Sequence, residues 1–280
     1  MILAVVSDIH ANLKAFEAFL QYVKEHPVDG IIGLGDYITD SPYPEKTMDM
    51  LYQMMEDYPC YILRGNREEY MLSNREKDQG WKPYTSDGAL LYTYEKLREK
   101  DFAFFESLTN TMELNLPGVP PLTIVHGAPG ESRGNFHLNP ERRDPVLAEI
   151  ATDYLIGGHS HHQEIYRSGK KMYVNVGALG MPIDHKGRHA EFAYLYGDET
   201  GWRAELKSIT YDVEAQIKAF EESGLDEISL VLSKGVKKSL LTGYNYFIDA
   251  VNMAFEISGG SPIAELDRSV WEEIERKLEL

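Results

Sequence analysis

Five unbroken apolar runs, each followed by a residue able to bind a cation, constrain this chain more than any other feature. Ile2-Leu3-Ala4-Val5-Val6 leads into Asp8 and His10, Ile31-Ile32-Gly33-Leu34 into Gly35-Asp36, and Tyr61-Ile62-Leu63 into Gly65-Asn66. Leu122-Thr123-Ile124-Val125 is followed by His126-Gly127, and Leu155-Ile156-Gly157-Gly158 by His159-Ser160-His161. Their length and β-branched content read as interior strands. In open α/β sheets the working site lies beyond the carboxyl ends of the strands, so side chains placed there converge from distant segments.

Between the runs the periodicity is helical. Asn12 is a fitting N-cap for a helix with Leu13, Phe16, Phe19, Leu20 and Val23 on one face. Pro44 suits the first position of a second helix, with Met48, Leu51, Tyr52 and Met55 as its buried stripe. This alternation of strand and helix predicts an α/β fold. From 67 to about 111 a polar stretch through Glu68 and Glu69, then Leu90, Leu91, Tyr94 and Leu97, predicts a helical insertion, with Asp101 capping a further turn. Strands are expected at Met112 to Leu116, Met172 to Gly177 and Phe192 to Tyr196, the last pairing with Trp202 to Ile209. The expected organisation is a core over 1–212 and a helical C-terminal extension over 213–280, whose last helix opens at Ser261-Pro262.

Composition narrows the partners. The 45 acidic and 28 basic residues leave a net charge of −17, which repels long nucleic acid, while a small phosphorylated substrate stays compatible because bound cations reverse the field of a cleft. No apolar run reaches the roughly 20 residues that span a bilayer, and no basic segment precedes the first run, so a cytoplasmic location is expected. Cys60 is the only cysteine, which excludes an intrachain disulfide and a thiolate cluster, and it reads as a structural thiol.

Asp8-x-His10, Gly35-Asp36, Gly65-Asn66, His126-Gly127 and Gly158-His159-x-His161, in that order, resemble the calcineurin-like metallophosphoesterases. Gly35-Asp36 with Pro42-x-Pro44 resembles the bacterial phosphodiesterase and dinucleotide-polyphosphate hydrolase branch. The resemblance implies a four-layer α-β-β-α sandwich of two packed mixed sheets. It also implies one divalent metal on Asp8, His10, Asp36 and His161, a second on Asp36, Asn66, His126 and His159, and hydrolysis of a small phosphodiester, nucleotide or dinucleotide polyphosphate by a metal-bridging hydroxide. Oxygen and imidazole donors without sulfur suit Mn, Fe or Zn.

The chain departs from that family where a histidine commonly follows the Gly-Asn pair, since Arg67 stands there. Arginine cannot donate a proton near neutral pH but can grip phosphoryl oxygens. Arg67 is therefore expected to stabilise charge and Asp36 to be catalytic as the bridging ligand, with His162 as an acid replacing the missing one. Substrate contacts are expected from Asn66, Arg67 and Arg133, with Asn135 and Arg188 as further candidates for phosphate, whereas His137, His185 and His189 are placed in polar loops flanking the mouth and Trp81, Tyr84 and Tyr92 in helical packing. Tyr244, Tyr246 and Phe247 of the extension read as packing or as a homo-oligomer contact. The rival functions are a catalytically weak scaffold binding a protein partner and a phosphomonoesterase or protein phosphatase.

Overall fold

The structure, a computed structural model, describes residues 1–183, 186–229, 231–260 and 262–280. Its strands form two five-stranded sheets. In the first, β1 (Ile2–Val6), β2 (Gly30–Gly33) and β3 (Cys60–Ile62) run parallel, and β9 (His189–Asp198) and β10 (Gly201–Thr210) continue antiparallel from the other side of β1. The second orders β4 (Thr111–Leu114), β5 (Leu122–Val125), β6 (Tyr154–Gly157), β8 (Lys171–Val176) and β7 (Gln163–Ser168), with β5, β6 and β8 parallel and both edge strands antiparallel.

Side-chain alternation sorts the core into layers. Leu3 and Val5 of β1 pack with Ile32, Ile124, Ile156 and Val174 between the sheets. Ala4 and Val6 face the other way, onto Phe16 and Phe19 of α1 (Leu13–Glu25) and Met48 and Leu51 of α2 (Pro44–Asp57). On the far face of the second sheet, Val125, Leu155 and Tyr173 meet Leu147 of α6 (Arg143–Glu149). Helix, sheet, sheet, helix is the four-layer sandwich. Both expected helix starts hold: Asn12 Oδ1 accepts from Ala15 N at 3.1 Å, and Pro44 occupies the first turn of α2.

Other boundaries differ. The segment after β3 is α3 (Asn66–Glu76), α4 (Gly88–Lys96) and α5 (Glu99–Ser107), and Asp101 lies inside α5, where its carboxylate accepts from Arg98 N at 2.8 Å. Strand β7 had no counterpart in the sequence reading, because an edge strand with only half-buried alternate residues leaves no apolar run. His189 is not in a loop: it is buried in β9, with Nδ1 2.8 Å from Gly187 O. Cys60 is half-buried, and burial pushes its thiol up to about 11.

Beyond Asp212 come α7 (Val213–Ser223), α8 (Leu225–Ser229), α9 (Val231–Thr242), α10 (Tyr246–Ser258) and α11 (Arg268–Leu278). The last helix begins at Arg268, not at Pro262, because Leu266 and Asp267 are extended, and the intervening Ile263–Glu265 forms a 3₁₀ turn. Val213, Phe220, Val236 and Leu240 pack with Ala89 and Tyr92 of α4 and with Met181, so these helices are sewn to the core. Among the described residues no helix is long and apolar enough to cross a membrane.

Tyr37 ties the ends of two strands. Its buried hydroxyl donates to Leu63 O at 2.8 Å and accepts from Gly35 N at 3.1 Å. Glycine at position 33 makes room, since a Cβ there would meet that hydroxyl at 2.8 Å. Tyr37→Phe is expected to lower the unfolding free energy by about 1–3 kcal/mol, the cost of leaving buried main-chain groups unpaired, and urea denaturation measures it.

Candidate metal centre

β1 and β2 end side by side, where Asp8 N donates to Gly35 O and His10 N to Asp36 O, both at 3.0 Å. The chain leaves these strands through a left-handed backbone: φ is 55° at Asp8, 49° at His10, 55° at Asp36, 64° at His159 and 58° at His161. For residues with a Cβ each such angle costs on the order of 1–2 kcal/mol. Strain of this kind gathers at functional sites, and here it falls on five of the seven predicted ligands. Gly65 lets α3 approach the same point, because a Cβ there would lie 2.2 Å from Asp36 Oδ1.

The structure brings all seven together. Asp8, His10 and His161 form one group and Asp36, His126 and His159 another, the candidate ligand atoms of each group lying within 4.8 Å of one another. Asp8 Oδ2 accepts from the Ser7 hydroxyl at 2.6 Å and His159 N at 2.8 Å. Its Oδ1 is buried without a hydrogen-bond partner, 3.3 Å from His161 Nε2 and 3.7 Å from His10 Nε2. Asp36 divides its oxygens between the groups: Oδ2 is 3.9 Å from His10 Nε2 and Oδ1 is 3.5 Å from His126 Nε2. Asn66, the first residue of α3, places its Oδ1 3.1 Å from His126 Nε2.

Three imidazoles are oriented from behind. Nδ1 of His10 lies 3.0 Å from Asp40 Oδ2, Nδ1 of His126 2.9 Å from Leu34 O, and Nδ1 of His161 2.8 Å from Met181 O. Each neighbour is an acceptor, which assigns the proton to Nδ1 and turns the Nε2 lone pair inward. His10 and His161 thus aim two lone pairs at each other across 3.1 Å, beside the orphaned Asp8 oxygen. Lone pairs from nitrogen and oxygen with no donor among them fit a divalent cation of the Mn, Fe or Zn kind.

A cation competes with protons for these nitrogens: burial opposes charge on His10 and His126, yet Asp40 and Asp8 push the first up to about 10 and Asp36 pushes the second to about 9, so ligation would release a proton from each. Burial also opposes charge on Asp8, but His161 and His10 hold it well below the usual carboxylate range. Burial and the neighbouring His126 lower His159 to about 4, which keeps it neutral and able to ligate.

Two supporting residues were missed from sequence. Glu68 is fully buried, not part of a solvated stretch: Oε2 accepts from Gly65 N (2.8 Å) and Asp36 N (2.9 Å), and Oε1 from Tyr37 N (2.9 Å). The spacing Gly65-x-x-Glu68 at a helix start was its signal. Asp40, buried in the loop after β2, meets both His10 and Arg67 Nη2, the latter at 2.9 Å. Burial works against its charge, but Arg67 and His10 hold its carboxyl well below the ordinary range.

The groups open into a cavity of about 470 Å³. Arg67 and His162 line it, and the His162 ring stacks on His137 at 3.7 Å. Asn135 and His137 line it too, whereas Arg133 does not, its guanidinium lying 4.6 Å over the Tyr70 ring. Arg188 is exposed and pairs with Glu214, and His185 falls outside the described residues. Tyr92 is buried packing as expected, while Tyr84 is exposed. The extension contributes directly, since Tyr244, Phe247, Ile248 and Asp249 form part of the cavity wall.

Two mixed sheets in a four-layer sandwich, with paired carboxylate and imidazole groups at the strand ends, define a metallophosphoesterase-type domain. The calcineurin-like phosphoesterase superfamily domain matches residues 1–199, and the chain belongs to that family. An uncharacterized protein of Methanocaldococcus jannaschii, MJ0912, is 27% identical over 237 residues, 79% of this chain and 90% of its own length. A metallophosphoesterase from Sphaerobacter thermophilus shares the fold at a TM-score of 0.68 and 22% identity, over 87% of this chain and 100% of that one. The hypothetical protein PH1004 from Pyrococcus horikoshii does so at 0.70 and 18%, over 86% and 98%.

Glu68→Gln is expected to destabilise the fold by about 1–3 kcal/mol, because an amide NH₂ then faces main-chain N–H donors. Thermal unfolding measures the loss.

Proposed function

We propose that the protein is a phosphoric ester hydrolase working with two divalent cations of the Mn, Fe or Zn kind on a small phosphodiester, nucleotide or dinucleotide polyphosphate, in the manner of the bacterial phosphodiesterase branch of its family. The observation that carries this reading is Asp36, whose two oxygens face two separate imidazole groups. Asp8, His10 and His161 would hold one cation, Asn66, His126 and His159 the other, and Asp36 both. When bound, such a pair supplies Lewis acidity for an in-line phosphoryl displacement and acidifies water.

The chain's own residues do the rest. Arg67, with its guanidinium held by Asp40 and its side chain 18% exposed toward the cavity, offers fixed positive charge to phosphoryl oxygens. His162 lines the same cavity and in this reading hands a proton to the leaving oxygen. Arg133, which does not line the cavity, lies near the same Tyr70 ring as Arg67 and would add only longer-range positive charge.

Metal-loaded protein is expected to hydrolyse bis(p-nitrophenyl) phosphate faster than the monoester, and Asp36→Asn to cut kcat/KM by about a hundredfold or more. Absence of turnover with Mn, Fe, Co, Ni and Zn alike would move the chain to the scaffold reading. Arg67→His, which brings in a group able to donate a proton, is expected to raise the alkyl ester rate itself above that of the native protein. A loss confined to the aryl ester would refute the role given to Arg67.

A further inference from the structure

The floor and wall of the cavity differ in chemistry. The floor carries His10, Asp36, His161 and Arg67, while much of the wall is apolar. Among the described residues nine large apolar side chains are exposed, and three of them, Leu138 (73%), Tyr244 (40%) and Ile248 (42%), line this one cavity. Scattered exposed apolar residues need no explanation, but a group gathered at the mouth of a polar site marks a surface that a ligand covers. Half-buried Phe247 continues the patch.

The wall is also held in shape. The Tyr244 hydroxyl donates to Asp249 Oδ2 at 2.7 Å, and its ring stands edge-on to Tyr246 with centroids 4.9 Å apart. Asn245 Oδ1 accepts from Ile248 N at 3.0 Å and so caps α10. A fixed aromatic face gains more from a flat ring than from a flexible chain, whose rotors must be ordered on binding. The volume, about 470 Å³, falls within the roughly 300–1,000 Å³ typical of pockets for compact organic ligands.

We infer that Tyr244, Phe247 and Ile248 of the C-terminal extension, with Leu138, form a subsite for the organic half of the substrate, selecting phosphoesters that carry a planar apolar ring. The inference rests on the phosphoesterase reading for the phosphoryl half alone. Aryl groups and nucleobases share the required chemistry.

Calorimetric titration of manganese-loaded protein with phenylphosphonate and methylphosphonate tests it, because the two share a head group and differ by the ring. Phenylphosphonate is expected to bind about tenfold more tightly, the scale of a few apolar atoms leaving water. Adenosine 5′-monophosphate against ribose 5-phosphate asks the same question of a nucleobase, and a ring preference in either pair supports the subsite. The double variant Leu138→Ser with Ile248→Ser, at two exposed lining positions, is expected to reduce the preference to about twofold or less. Phe255→Ala, an exposed apolar position on the helix of Ile248 that does not line the cavity, is expected to keep it and so controls for folding. Head-group binding with no ring preference in either pair, or a preference that survives the double variant, overturns the subsite and leaves the phosphoesterase reading intact. No head-group binding together with no ester turnover overturns both.

Discussion

Acidic and imidazole side chains crowded at the ends of two parallel strands are the constraint on which the rest of this fold turns. Asp8, Asp36, Asp40 and Glu68 are all buried, and Arg67 is the cation set directly against Asp40 and close to Asp36. Uncompensated buried carboxylates are costly, so the surroundings are built to hold them. Main-chain N–H groups of His159 and Arg67 donate to Asp8 and Asp36, and the Ser7 hydroxyl adds another bond. What these bonds leave over, Asp8 Oδ1 without a hydrogen-bond partner and the facing Nε2 atoms of His10 and His161, is a candidate donor set for a cation. The sandwich can be understood as the frame that keeps these groups from relaxing apart.

That frame works through backbone geometry. A strand that simply continued past Val6 would point Asp8 and His10 both into the helical layer that Ala4 and Val6 face. The left-handed turns at Asp8 and His10, fastened by main-chain bonds to Gly35 and Asp36, bring both side chains to one rim. The same conformation recurs at His159 and His161, after β6 in the second sheet. Two sheets therefore contribute through the same local device, and the centre sits where their strand ends meet.

Much of this is legible in the amino-acid sequence alone. Apolar runs report interior strands because a strand covered on both faces has no polar side to show, and a ligand-type residue after each run is visible in one dimension. The unread parts depend on tertiary placement. Glu68 looks like one more acid in an acidic stretch, and only the approach of α3 to the loop after β2 makes it a buried acceptor of three N–H groups. Asp40 sits in a loop without periodicity, and its value lies in touching His10 and Arg67 at once. Edge strand β7, Gln163–Ser168, holds only Ile165 and Tyr166 as apolar residues, so hydrophobicity alone passes over it. Leu266 and Asp267, extended between a 3₁₀ turn and α11, break a stripe that reads as one helix.

The C-terminal extension shows most clearly how packing converts helices that carry no ligand into part of the site. Val213, Phe220, Val236 and Leu240 share a core with Met181, and the carbonyl of Met181 is the group that orients His161. Arg188 N donates to Leu240 O at 2.8 Å, so the segment leading into β9 is also bound to the end of α9. The residues that follow α9 are thereby carried over the cavity, where Tyr244 and Ile248 stand exposed. One packed cluster thus fixes the angle of an imidazole on the floor and the position of an apolar wall above it, which places ligand geometry and ring recognition under the same hydrophobic contacts.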